Sequence, residues 1–200
     1  MRGAIVLAGG LSRRLGRPKA LVAVRGVPLV VRVVRAAREV ADQVVVVSRG
    51  GVAAQLERVL PFGVRLVRDR RRLQSPLVGL VTGASALRSP YVLSLGCDQP
   101  FLVPELLAAL FARARGHDAA VPRRPNGMIE PLLAVYRRTA MLRAALGALE
   151  VDERSNQAML DRMRDVRFVP VADLRRFDAR GWSFVNVNTR EDLARAERMR

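Results

Sequence analysis

The stretch Arg2-Gly3-Ala4-Ile5-Val6-Leu7 runs straight into Ala8-Gly9-Gly10 at the start of the chain. A short apolar run that ends in glycines reads as a strand buried on both faces, the pattern of a central strand in a parallel sheet. The same unit recurs downstream. A brief strand over 21–24 precedes a turn at Arg25-Gly26, and Pro28 opens a helix whose polar stripe carries Arg32, Arg35, Arg38, Glu39 and Asp42. Residues 43–48 form a Val-rich strand closed by Gly50-Gly51, 52–60 a helix and 64–68 a strand. Pro76 starts a small-residue helix over 77–87, residues 91–95 form a buried strand, and 104–114 form another helix.

Short apolar strands alternating with amphipathic helices imply βαβ units and an open parallel sheet with helices on both faces. The second half is less regular. Strands are expected at 119–122, 130–136 and 168–171, and helices at 140–149 and 157–163. Thr189 followed by Asp192 marks an N-cap with an acidic N3 residue before a final helix. The expected architecture is a single α/β domain over residues 1–200, Rossmann-like and three-layered, with a mostly parallel central sheet. In such sheets ligands bind beyond the carboxyl ends of the strands. That edge here is made by residues 8–19, 48–51, 69–79 and 96–100.

Composition narrows the function. The 200 residues hold one cysteine, Cys97, and one histidine, His117, so an internal disulfide and a Cys- or His-rich metal site are both excluded. Cys97 reads as a small buried residue rather than a nucleophile, and His117 as an exposed loop residue. No apolar run has the length of a bilayer span or a secretion signal, so a soluble, cytoplasmic protein without a membrane partner is expected. The formal charge is +17, from 35 basic against 18 acidic residues. The basic clusters are scattered and not interleaved with aromatics, so nucleic acid is not the expected partner. All but one of the basic residues are arginine; the exception is Lys19.

That lysine closes the segment Leu7-Ala8-Gly9-Gly10-Leu11-Ser12-Arg13-Arg14-Leu15-Gly16-Arg17-Pro18-Lys19. Paired glycines at a strand end let main-chain N–H groups approach an anion closely, and four cations surround them with no acidic residue before Glu39. A triphosphate is the guest this chemistry suits. The segment is not a Walker A loop, because Arg17-Pro18 separates Gly16 from Lys19 and Ala20 follows it; nor does it hold a dinucleotide fingerprint.

Residues 7–19 resemble the signature of the nucleotidyltransferases of molybdenum-cofactor biosynthesis, Leu-Ala-Gly-Gly-x-Ser-x-Arg-Met-Gly followed by Lys. Three later stretches agree in order and spacing. They are Ser75-Pro76-Leu77-Val78-Gly79, Cys97-Asp98-Gln99-Pro100 and Phe184-Val185-Asn186-Val187-Asn188-Thr189. Within this group the pattern is most similar to the molybdenum cofactor guanylyltransferases. The resemblance implies transfer of GMP from GTP to the phosphate of molybdenum-molybdopterin, with Mg²⁺ as cofactor and pyrophosphate released. It also implies handover partners, a molybdenum-insertion protein and molybdoenzyme chaperones.

The resemblance assigns Lys19, Asp98 and Arg14 to catalysis and Asp98 to the metal. It assigns Leu7, Ala8, Gly9, Gly10, Lys19, Asp69, Gly79 and Asp98 to GTP, and Asn186, Asn188 and Glu130 to the pterin side. Gly9 stands where cytidylate-transferring relatives usually carry Ala, which favours guanine. Ser48 stands where the guanylyltransferase pattern commonly has Asn, and a hydroxyl offers fewer hydrogen bonds than an amide. A cytidylyltransferase or another nucleotidyltransferase of the same fold is the nearest alternative, and a basic nucleic-acid-binding protein the more distant one.

Overall fold

The computed structural model describes residues 1–9, 11–12, 16–69 and 75–199. The first strand is β1 (Arg2–Leu7). Two ribbons of two-residue strands follow, β2 (Leu11–Ser12) with β3 (Arg17–Pro18), and β4 (Ala23–Val24) with β5 (Val27–Pro28). Then come α1 (Leu29–Arg38), β6 (Gln43–Arg49), α2 (Ala53–Val59), β7 (Arg65–Asp69), α3 (Pro76–Ser85), β8 (Tyr91–Gly96) and α4 (Pro104–Ala114). The remainder is β9 (Ala119–Arg123), β10 (Leu133–Arg137), α5 (Arg138–Glu150), α6 (Asn156–Asp161), β11 (Val166–Pro170), α7 (Val171–Leu174) and α8 (Arg190–Arg198).

Seven of the strands form one sheet in the order β11-β9-β10-β8-β1-β6-β7. β1 lies parallel between β6 and β8, β7 is parallel to β6, and β11 to β9. β10 alone runs antiparallel to both its neighbours. Six strands of the sheet therefore end on the same edge, and β10 begins there.

The period of two along each strand builds the layers. Ala4, Val6, Val44, Val46, Leu93 and Leu95 face one core, which α1 and α4 cover with Val30, Val33, Val34, Leu106, Leu107 and Leu110. Ile5, Val45, Val47 and Val92 face the other, against Leu77, Leu80 and Ala84 of α3 and Met141, Ala144, Ala145 and Ala148 of α5. With both faces covered, continuous runs such as Val44–Val47 have no polar alternate, as observed.

Helix α3 approaches the sheet closely because it carries glycine where it crosses. A Cβ at Gly83 would lie 2.5 Å from Ile5 Cγ2, and one at Gly79 would lie 2.9 Å from Leu7 Cδ2. Its start is held by Ser75, whose hydroxyl accepts from Leu77 N at 3.1 Å with Pro76 in the first turn. Thr189 and Asp192 form a full capping box at the start of α8, as their spacing predicts.

The brief strand expected over 21–24 is shortened to Ala23–Val24, because Lys19–Leu21 turn as a 3₁₀ helix with Ala20 buried beneath them. His117 is not free in its loop: its ring Nδ1 lies 3.0 Å from the Asp165 carboxylate. Among the described residues no helix is long and apolar enough to cross a membrane.

Candidate active site

Three segments far apart in the chain converge at the sheet edge. Lys19 begins the 3₁₀ turn, Asp98 follows β8, and Asn188 precedes the cap of α8. Lys19 Nζ donates to Asp98 Oδ2 at 2.8 Å and to Asn188 Oδ1. The Lys19 and Asp98 side chains are 16% and 26% exposed, so the pair is shielded yet reachable from solvent.

Each partner is held from behind. Val187 N donates to the Asp98 carbonyl at 2.9 Å, which ties the last loop to the end of β8. The N–H groups of Asn188 and Thr189 both donate to Asp192 Oδ2 at 3.0 Å. These bonds hold the Asp192 carboxyl below the usual carboxylate range, with the Asn188 N–H the largest cause. Gly96 makes room for the Asp98 carboxylate to fold back: a Cβ there would lie 2.5 Å from Asp98 Oδ1.

The Lys19–Asp98 pair closes one end of a cavity of about 340 Å³. From there the cavity passes Leu7, Gly9 and Gly96 to the ends of β6 and β7, where Ser48, Arg49 and Asp69 line it, with the cap residue Ser75 and Pro76 and Gly79 of α3 beside them. Cys97 also lines it, but burial first, and the neighbouring Asp98 charge second, push its thiol up to about 12, so it stays protonated. This matches the reading of Cys97 as a packing residue. Among the described residues no cluster of three or more His, Cys, Asp or Glu could hold a metal.

A cavity with a cation and a carboxylate at one end of a doubly covered parallel sheet suits a nucleoside phosphate. Comparison with known proteins agrees. Residues 4–166 match the model of the MobA-like NTP transferase domain. The chain belongs to the MobA-like NTP transferase family. In this family's company it is 41% identical to a Natronomonas pharaonis protein named as a probable molybdenum cofactor guanylyltransferase, over 98% of this chain and 96% of that one. A Methanosarcina mazei protein of the same name is 38% identical over 96% and 88%. The crystal structure of molybdopterin-guanine dinucleotide biosynthesis protein A from Archaeoglobus fulgidus superposes with a TM-score of 0.82 at 30% identity, covering 98% of this chain and 97% of that one.

In this NTP transferase the motif residues fall in four groups. Lys19, Asp98, Leu7, Gly9, Asp69 and Gly79 all line the cavity, and Asn188 reaches it through Lys19. Ala8 keeps its side chain in the core and its N–H on the Val47 carbonyl at 2.8 Å. Glu130 pairs with Arg124, which donates to it at 2.6 Å, and neither Glu130 nor Asn186 lines the cavity. Gly10 and Arg14 lie outside the described residues.

Two residues that motif reading passed over belong to the site. Gly96 could have been found as a glycine inside an otherwise Val/Leu strand, where glycine marks a close approach. Arg49 could have been found from parity, since it shares a strand face with Val45 and Val47.

Proposed function

We propose that this chain, acting as a single domain over residues 1–200 in the cytoplasm, transfers GMP from GTP to the phosphate of molybdenum-molybdopterin. The relatives named above support the choice of reaction, and the convergence of Lys19, Asp98 and Asn188 on one point of the cavity carries it. A terminal phosphate oxygen of the pterin substrate attacks the α-phosphorus of GTP. The bond from that phosphorus to the bridging oxygen breaks, and the electron pair leaves with pyrophosphate.

The attacking oxygen is already ionised at neutral pH, so no side chain needs to remove a proton, and a chain with one histidine loses nothing. What remains is positioning and neutralisation of charge on the α-phosphate and the departing pyrophosphate. Lys19 supplies a flexible ammonium for the phosphates. The glycine-bearing segment at Gly9-Gly10 supplies main-chain donors, and Arg14 lies in the same cationic segment.

The site suits Mg²⁺. Asp98 and Asn188 both direct side-chain oxygens to one cationic nitrogen, so the two would hold a hard cation together. One carboxylate and one amide oxygen agree with the habit of Mg²⁺ of taking few protein ligands and completing its shell with phosphate and water. When bound, the ion would polarise the α-phosphate and neutralise charge on the leaving group. Asn186 and Glu130 are assigned to the pterin side, and a molybdenum-insertion protein and molybdoenzyme chaperones to substrate supply and product handover.

The test is pyrophosphate release from GTP with molybdenum-loaded molybdopterin and Mg²⁺, run against CTP. Guanylate transfer predicts turnover with GTP; preferential turnover of CTP overturns it.

A further inference from the structure

The three segments that meet at Lys19 share a small core of their own. Val22, Val24, Leu29, Val187 and Ala196 are buried together, with Phe101 and Leu193 packed against them, and none of these residues belongs to the seven-stranded sheet. Val22 lies three residues after Lys19, Phe101 three after Asp98, and Val187 directly before Asn188. Val22 N donates to the Lys19 carbonyl at 3.1 Å, and Leu29 N to the Val22 carbonyl at 2.8 Å. The β4–β5 hairpin and α8 are therefore the platform from which Lys19 and Asn188 reach the site.

Charged side chains grip that platform from two sides. The hairpin turns at Arg25 and Gly26, both at positive φ, 51° and 72°, the geometry of a tight two-residue turn. Arg25 N donates to both carboxylate oxygens of Glu197, at 2.9 and 3.0 Å. In return the Arg25 guanidinium donates to the Glu197 carbonyl, at 3.2 and 3.3 Å, and to that of Met199, capping carbonyls at the end of α8. On the other side Arg32 of α1 donates to the Val24 carbonyl at 2.8 and 3.2 Å, and its guanidinium stands 5.9 Å from the centre of the Phe101 ring. Arg25 and Glu197 are exposed, and exposed charged groups add little to stability. Their geometry is nevertheless specific: the first grip ties the hairpin to α8, and the second ties it to the loop that follows Asp98.

We infer that Glu197, Arg25 and Arg32 are positioning residues: they hold the β4–β5 turn against α8 and against the Phe101 loop, and so set the spacing of Lys19, Asn188 and Asp98. The inference rests on the reaction proposed above for its kinetic consequence. None of the three lines the cavity, so any effect on the reaction has to pass through residues that reach it. The Lys19 ammonium bridges Asp98 and Asn188 by two hydrogen bonds, so a shift of about 1 Å in either segment would take one of them out of reach. Misplacement on that scale costs up to about 10²-fold in rate.

The test uses the full chain and its single lysine. Labelled with ¹³Cε-lysine, the protein should give one lysine side-chain resonance, that of Lys19. Glu197→Ala removes the acceptor for Arg25 N, and Arg32→Met keeps a long apolar stem while removing the donors to Val24. Each should move the Lys19 resonance toward that of free lysine and lower kcat for pyrophosphate release by about fivefold or more, with KM for GTP unchanged. Glu197→Gln keeps an acceptor oxygen and should restore the resonance and most of kcat. In an Asn188→Ala background, Glu197→Ala should cause no further loss of kcat, because the contact through which it acts is gone, whereas independent structural losses would multiply. An unmoved resonance, a kcat that stays at the wild-type value, or losses that multiply overturn the positioning role. The resonance reads the spacing whichever nucleotide is the substrate, so a wild type that turns over CTP in preference to GTP sinks the guanylate reading alone.

Discussion

The two ends of the cavity are built on different principles. At the Lys19 end, three residues 79 and 169 positions apart in sequence are joined by side-chain hydrogen bonds, and each is braced by further contacts behind it. At the Arg49 end, two neighbouring strands place an arginine and an aspartate at paired register positions. On the proposed reaction the first arrangement sets where charge sits, so its loss should appear in kcat. On the same proposal the second lies away from the reacting phosphates, so its loss should appear in KM rather than in kcat.

The sharpest way to break this contrast is at the charged end. Asp98→Asn and Lys19→Ala should each lower kcat by about 10²–10³-fold, the scale of removing one preorganised electrostatic partner. Steady-state pyrophosphate release measures it, and an unchanged kcat with a raised KM in either variant would erase the division between the ends. Lys19→Arg keeps the charge but exchanges a compact ammonium for a planar fork, and a reduction of about tenfold or more is expected. Exchanging an exposed arginine such as Arg58 for lysine should leave the rate unchanged.

Gly96→Ala tests the brace rather than the charge. The added methyl would turn the Asp98 carboxylate, 2.5 Å away, out of its position. A fall in kcat of about tenfold is expected from misplacement alone, with the GTP-to-CTP ratio preserved. Gly83→Ala is its structural counterpart, pressing on Ile5 in the core, where overpacking costs about 1–3 kcal/mol. Thermal unfolding should register that loss without any change in nucleotide preference.

The smallest effect concerns acid. The folded state holds the Asp192 carboxyl below its ordinary range, so its contribution to stability is complete above its unfolded pKa and is lost as pH falls through the folded value. The melting-temperature difference between wild type and Asp192→Asn should therefore be constant from about pH 5 to 8 and shrink below about pH 4. A difference that grows on acidification would mean that the clamp on Asn188 is not carried by the ionised carboxylate.

Much of this molecule can be read in advance from its local pattern. β1 and α4 fall where the apolar runs and the proline predict, and the strand ends after Leu7, Arg49 and Gly96 lie on the edge expected to bind ligand. These signals are legible because they are local: a strand needs a run of residues with one preference, and a helix start needs a cap within four. The convergence of Lys19 with Asp98 was legible only as shared motif membership, since nothing in either segment measures their separation. The turn at Lys19–Leu21 was missed because the burial of Ala20 in a distant core outweighs the strand preference of Leu21 and Val22.

Ser48 and Arg49 mark the boundary between the two kinds of information. Sequence alone determined that a β strand ends here beside a glycine-bearing loop, that a nucleotide is the ligand this edge suits, and that one lysine stands among arginines. The tertiary structure decided which layer each of the two adjacent side chains shares, because facing depends on what each strand face packs against. Val46 and Val47 are chemically alike, and nothing in the residues themselves assigns one to α1 and the other to α3. Packing makes that assignment, and a strand's period of two carries it forward to Arg49.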